Sequence, residues 1–91
     1  MSIPFTQYVP PNGMQVPVLF DASEEIERKA HELIAAGYSF GVEALSTGII
    51  SITCSIDDED IAIQLSQNGP DILERVDAMV NDAYEYMQKG R

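Results

Sequence analysis

The stretch Ser55-Ile56-Asp57-Asp58-Glu59-Asp60-Ile61-Ala62-Ile63 sets four consecutive acids between two runs that alternate apolar with small or polar residues. Carboxylates at that density can hold a divalent cation, attract a basic partner, or simply face water at a turn. A calcium loop of the EF-hand type needs oxygens at alternating positions, a glycine at the sixth and a glutamate further on. DDEDIAIQL has no such spacing, and consecutive residues of an extended chain point to opposite faces. No metal site is expected. The block reads as a solvated hairpin turn whose charges discourage edge pairing, with recognition of a basic partner as the functional alternative.

A second row of acids lies near the C-terminus, where Asp71, Glu74, Asp77 or Asn81, Asp82 and Glu85 follow one another at three- and four-residue steps. On a helix those steps rise about 4.5–6 Å per charge, a spacing that a phosphate decoy could use. Local compensation weighs against that role, because Asp71–Arg75 and Glu85–Lys89 are also i,i+4 pairs. A solvated helix face is the plainer reading. The candidate partner-binding residues are Asp57, Asp58, Glu59, Asp60, Glu74, Asp77, Asp82 and Glu85.

Nucleophilic or acid–base catalysis needs a nucleophile, a base and an orienting group within reach of one another. The single His31 falls beside Glu27 and Glu32 on a helical stretch and reads as a surface histidine. Cys54 alternates with Ile52 and Ile56 and reads as a small buried hydrophobe. Two-carboxylate chemistry needs acids that face one pocket, whereas these acids fall on turns and outer helix faces. There is no glycine-rich phosphate loop and no Cys/His metal pattern. The expectation is a non-enzyme without a cofactor, and a pocket joining His31 to two convergent acids would argue otherwise. Tyr8, Tyr84 and Tyr86 either edge the core or mark an interface. Tyr84 and Tyr86 cannot share a helix face, so at least one is expected to be exposed.

The elements that would position these groups follow from periodicity. Residues 4–9 and 14–20 read as a hairpin around Pro10-Pro11-Asn12-Gly13. Pro4 and Pro17 cannot donate to a ladder and belong at an edge or bulge. Asp21-Ala22-Ser23-Glu24 has the form of a capping box, with Asp21 or Ser23 as N-cap. Ile26, Ala30, Leu33 and Ile34 then recur at helical spacing up to Gly37, which predicts a helix over residues 22–36. Glu24–Arg28 and Glu25–Lys29 would support it as i,i+4 pairs.

Three strands follow. Tyr38, Phe40, Val42 and Ala44 alternate along the first, and Ser46-Thr47-Gly48 turns it. Ile50, Ile52, Cys54 and Ile56 alternate along the second, opposite Ser51, Thr53 and Ser55. After a turn at residues 57–60, Ile61, Ile63 and Leu65 alternate along the third. Gln67-Asn68-Gly69-Pro70-Asp71 closes it, with Gly69 or Asp71 capping and Pro70 in the first turn of a second helix. That helix carries an apolar stripe of Ile72, Val76, Met79, Val80, Ala83 and Met87. The result is a single α+β domain of residues 1–91 in the order ββαβββα, with an antiparallel sheet and both helices on one face.

Fifteen acids against five bases give a formal net charge of −10, beyond the magnitude of about 2–8 that solubility needs in a small domain. That charge repels nucleic acid and anionic membranes and favours a protein with a basic surface. With 45% hydrophobic residues the chain can still build a core. One cysteine, no signal-peptide pattern and no long apolar run point to a reducing cytoplasm. The order αβββα from residue 22 resembles the double-stranded-RNA-binding domain. That domain's last helix opens with a lysine cluster on phosphates, whereas here Pro70-Asp71-Ile72-Leu73-Glu74 has only Arg75 nearby, so RNA binding is not expected.

Over nearly its whole length the chain resembles a family of small proteins of uncharacterised function encoded in phage genomes and related bacterial sequences. The likeness rests on Phe5-Thr6-Gln7-Tyr8, Thr47-Gly48, Asp58-Glu59 and Asn68-Gly69-Pro70. It implies a phage-type accessory protein in the host cytoplasm and supplies no catalytic residues. The expected role is occupation of a basic protein, for instance as an inhibitor of a host defence or nucleic-acid-handling factor. The alternative is a structural homo-oligomer or homodimer, suggested by Phe5, Tyr8, Val18 and Phe20 on a hairpin too small to be stable alone.

Overall fold

Alternating hydrophobicity and two amphipathic stripes resolve into seven elements in a computed structural model that describes residues 2–9, 13–45, 48–67 and 69–90. In chain order they are β1 (Ser2–Val9), β2 (Met14–Asp21), α1 (Glu24–Ala35), β3 (Ser39–Ala44), β4 (Ile49–Ile56), β5 (Glu59–Gln67) and α2 (Ile72–Gln88). This is the expected ββαβββα order of one α+β domain. Positions 10–12, 46–47 and 68 of the predicted turns lie outside the described residues.

The five strands form one sheet in the order β2-β1-β3-β4-β5. The sheet is mixed, not wholly antiparallel, because β1 runs parallel to β3 through Thr6–Gly41, Gln7–Val42 and Tyr8–Glu43. That pairing is where the N-terminal hairpin docks. Phe5 then stacks on Phe40, with ring centroids 5.2 Å apart, and meets Phe20 edge-on at 4.8 Å. Pro17 sits in the outer strand β2, and Pro4 lies beyond the stretch of β1 that pairs with β3, so neither breaks the parallel ladder.

Ser23 caps α1, its Oγ accepting from the Ile26 amide at 3.3 Å. At the other end Gly37 takes a φ of +101°. The Gly37 amide donates to the Ile34 carbonyl and the Tyr38 amide to the Leu33 carbonyl, each at 3.0 Å, a Schellman closure over buried Leu33 and Tyr38. The predicted pairs of Arg28 and Lys29 with Glu24 and Glu25 are replaced. Arg28 binds Glu32 instead, while Lys29 donates to Asn81 at 2.9 Å and lies over the Tyr84 ring. Packing of α1 on α2 draws Lys29 across the seam.

Both helices cover one face of the sheet, α2 over β4 and β5 and α1 over β1. Between the layers lie Ile3, Phe5, Leu33, Phe40, Ile52, Cys54, Val76, Met79 and Val80, all buried. Pro70 stands just before α2, outside its first turn. Ala44, at the end of β3, is exposed, so the alternation of that strand ends at Val42.

One strand is inverted relative to expectation. In β5 the residues facing the helices are Ala62, Gln64 and Ser66, while Ile63 and Leu65 are 55% and 52% exposed on the open face. The cause is a bulge. Ser55 pairs with Asp60 but Cys54 pairs with Ala62, which leaves Ile61 as an extra residue and turns the rest of the strand over. Small Ala62 and Ser66 admit α2 close to the sheet, where Ile63 and Leu65 would collide with Val76, Met79 and Val80.

Candidate functional site

The β4–β5 hairpin closes through two residues, not four. Asp57 and Asp58 have φ of +54° and +64°, the left-handed pair of a type I′ turn, whose twist suits a hairpin and which Asp tolerates better than most residues. Glu59 and Asp60 already belong to β5, opposite Ile56 and Ser55. All four acids are exposed, and among the described residues none of their side chains has an ion-pair or hydrogen-bonding partner.

The acids of α2 do not form one row. Glu85 is paired with Lys89 at 3.0 Å, and the half-buried Asp77 lies on the flank of α2 that carries Asn81 and Tyr84 toward α1. Glu74 faces solvent, and the exposed Asp82 shares the opposite flank with Arg75 and Tyr86 by helical spacing. The hairpin tip meets this last flank: a shallow cavity of about 380 Å³ is lined by Ile56, Asp57, Glu59, Tyr86 and Gly90. The fold therefore joins Asp57 and Glu59 of the hairpin to Tyr86. The negative end of the α2 dipole adds to the potential there.

At the start of α2, Asp71 accepts from Ser66 Oγ and from Arg75 Nε, the latter at 2.9 Å, and Arg75 also donates to Gln64 at 3.4 Å. The Ser66 hydroxyl first, and then Arg75, hold the Asp71 carboxyl below its ordinary range. Its side chain ties β5 to α2 and does not cap the helix.

His31 borders a cavity with Glu24, Glu25, Glu27, Arg28, Glu32 and Ala35. Every described lining residue comes from α1. Glu27 is buried and engaged, and His31 Nε2 is shielded without a hydrogen-bonding partner. Among the described residues no three of His, Cys, Asp and Glu gather in a metal-binding geometry. Cys54 is wholly buried in β4, and burial pushes its thiol up to about 12. Tyr84 donates to Glu32 at 3.1 Å, whereas Tyr86 and Tyr8 are exposed. Tyr8 lies over β3 beside Gly41, where a Cβ would come within 3.3 Å of the Tyr8 ring.

Phe5, Val18 and Phe20 belong to the core cluster or pack against it, so the apolar set that suggested oligomerisation is satisfied within one chain, Tyr8 excepted. The feature that sequence reasoning missed is the exposed pair Ile63 and Leu65. Hairpin parity placed them in the core, and only the bulge at Ile61 reverses them. What fold and site define is a two-layer α+β domain with helices on one sheet face and an acidic end. No family model matches the chain, and no curated protein or solved structure is significantly similar to it. Among the described residues no helix is long and apolar enough to cross a membrane.

Proposed function

We propose that this is a non-enzymatic binding protein of phage type that occupies a basic surface of another protein, in the manner of an inhibitor of a host defence or nucleic-acid-handling factor. The observation that carries this reading is the concentration of exposed carboxylates Asp57, Asp58, Glu59 and Asp60, none with a side-chain partner among the described residues, at the tip of the β4–β5 hairpin. Such a field steers a basic partner and speeds encounter. It also repels nucleic acid and anionic lipid.

The test is capture of partners from host lysate at low and high salt, with a variant carrying D57N, D58N, E59Q and D60N alongside. The expected result is a small set of basic proteins held by the parent chain, weakened by salt and by the variant. Retention that ignores both changes refutes the electrostatic reading. Homodimerisation is the competing role, and sedimentation decides it: a monomer of 10.0 kDa at micromolar concentration removes it.

A further inference from the structure

The two edges of the sheet differ in a way that names a docking mode. Edge strands expose a row of unpaired N–H and C=O groups, and proteins blunt them with proline, charge or bulges. The β2 edge is blunted by Pro17 in its middle. In β5 the charges and the bulge are confined to residues 59–61. Residues 62–67, Ala-Ile-Gln-Leu-Ser-Gln, carry neither charge nor proline nor glycine. Among the described residues no strand covers that edge, and Ile63 and Leu65 stand exposed beside it on the open face.

The charge around this edge identifies its occupant. Asp57, Asp58, Glu59 and Asp60 lie at the start of β5. Arg75, Asp82 and Tyr86 share the α2 flank above it, Arg75 through its bond to Gln64 and Tyr86 through its place beside Glu59. Arg75 is offset by Asp71 at 2.9 Å, so the flank is acidic on balance. A second copy of this chain, itself carrying a net charge of −10, would be repelled. We infer that β5 is a β-augmentation edge for an extended basic segment of a partner protein. Main-chain hydrogen bonds to residues 62–67 supply register, apolar side chains at alternate positions meet Ile63 and Leu65, and the intervening lysines or arginines meet the surrounding acids. This rests on the binding role proposed above and adds to it the backbone mode of recognition.

The experiment titrates the intact ¹⁵N-labelled protein with a blocked peptide of about eight residues, a usual strand length, in which Lys and Val alternate. Two controls are used: a block isomer of the same composition and a copy N-methylated at every second residue. Binding is expected to perturb and protect the amides of residues 62–67. It should weaken as salt rises from about 50 to about 500 mM, and fall by roughly tenfold or more, over about 1.4 kcal/mol, for both controls and for an I63K/L65K variant. N-methylated peptide that binds as well as the parent, or perturbation confined to Asp57, Asp58, Glu59 and Asp60, overturns the edge mode while leaving the acidic-surface role standing. Failure of every basic peptide to bind overturns both. A dimer through residues 62–67 that tightens with salt assigns the edge to a second copy and overturns the partner class.

Discussion

Deleting Ile61 probes the register of β4 against β5 most directly. Ser55 pairs with Asp60 and Cys54 with Ala62, so Ile61 is the residue the bulge accommodates. Its removal joins Asp60 to Ala62 and leaves every other pair in place. Ala62 and Ser66 stay under α2, and Ile63 and Leu65 stay on the open face. The loss is Ile61's own packing. That side chain is partly buried against the core, so about half of the ~3 kcal/mol for burying an isoleucine is forfeited, or about 1.5 kcal/mol. A domain stable by about 5–15 kcal/mol survives that loss. In a chain of this size it lowers Tm by about 6–12 °C. Thermal melts followed by circular dichroism give the stability, and amide exchange in β5 gives the register. A chain that no longer folds, or one in which Ile63 and Leu65 become protected from solvent, would show that the uninterrupted alternation of residues 61, 63 and 65 is the true core register. A companion L65K substitution should stay within about 0.5 kcal/mol, as exposed positions do.

Changing Asp57-Asp58 to Asn-Gly should raise stability by about 0.5–1 kcal/mol, because both positions require positive φ. The D57N/D58N/D60N variant should melt at the parent temperature or slightly above it. A parent melting temperature that rises with calcium, unlike the variant's, would reveal a cation site at the turn. Asp71 is held below its ordinary range by Ser66 and Arg75, so it contributes stability that is present above the unfolded carboxyl value near ~3.9 and lost as pH falls through its lower folded value. Urea midpoints should therefore drop more between pH 7 and pH 2 for the parent than for D71N, and equal drops would contradict the bond network. Cys54, wholly buried with its thiol at about 12, should resist thiol reagents at pH 8 until the chain unfolds. Rapid labelling of the native protein would refute its placement.

Much of the architecture was legible because it depends on local periodicity. Alternation marked the strands, and the stripe from Ile72 to Met87 marked α2. Ser23 and Gly37 set the ends of α1 through their own backbone and side-chain chemistry. The candidate acids of the hairpin were legible as exposed groups, since burying an unpaired carboxylate costs several kcal/mol and no base stands near them in sequence. That Glu59 and Asp60 are strand residues was less visible, because a type I′ turn at Asp57-Asp58 uses residues that tolerate positive φ without a glycine to announce it.

Composition and pattern by themselves determined a single α+β domain in the order ββαβββα, its strongly acidic character and the exposure of residues 57–60. Only the tertiary structure decided that β1 pairs in parallel with β3, that Asp57 and Glu59 border one cavity with Tyr86, and that Ile63 and Leu65 face outward. The physical reason is the same in each case: these outcomes turn on which distant elements compete for one space. Hairpin parity favoured isoleucine and leucine beneath α2, but Val76, Met79 and Val80 already fill that layer. A one-residue bulge that presents Ala62 and Ser66 lets helix and sheet close, and no local signal in β5 records how near the helix must come.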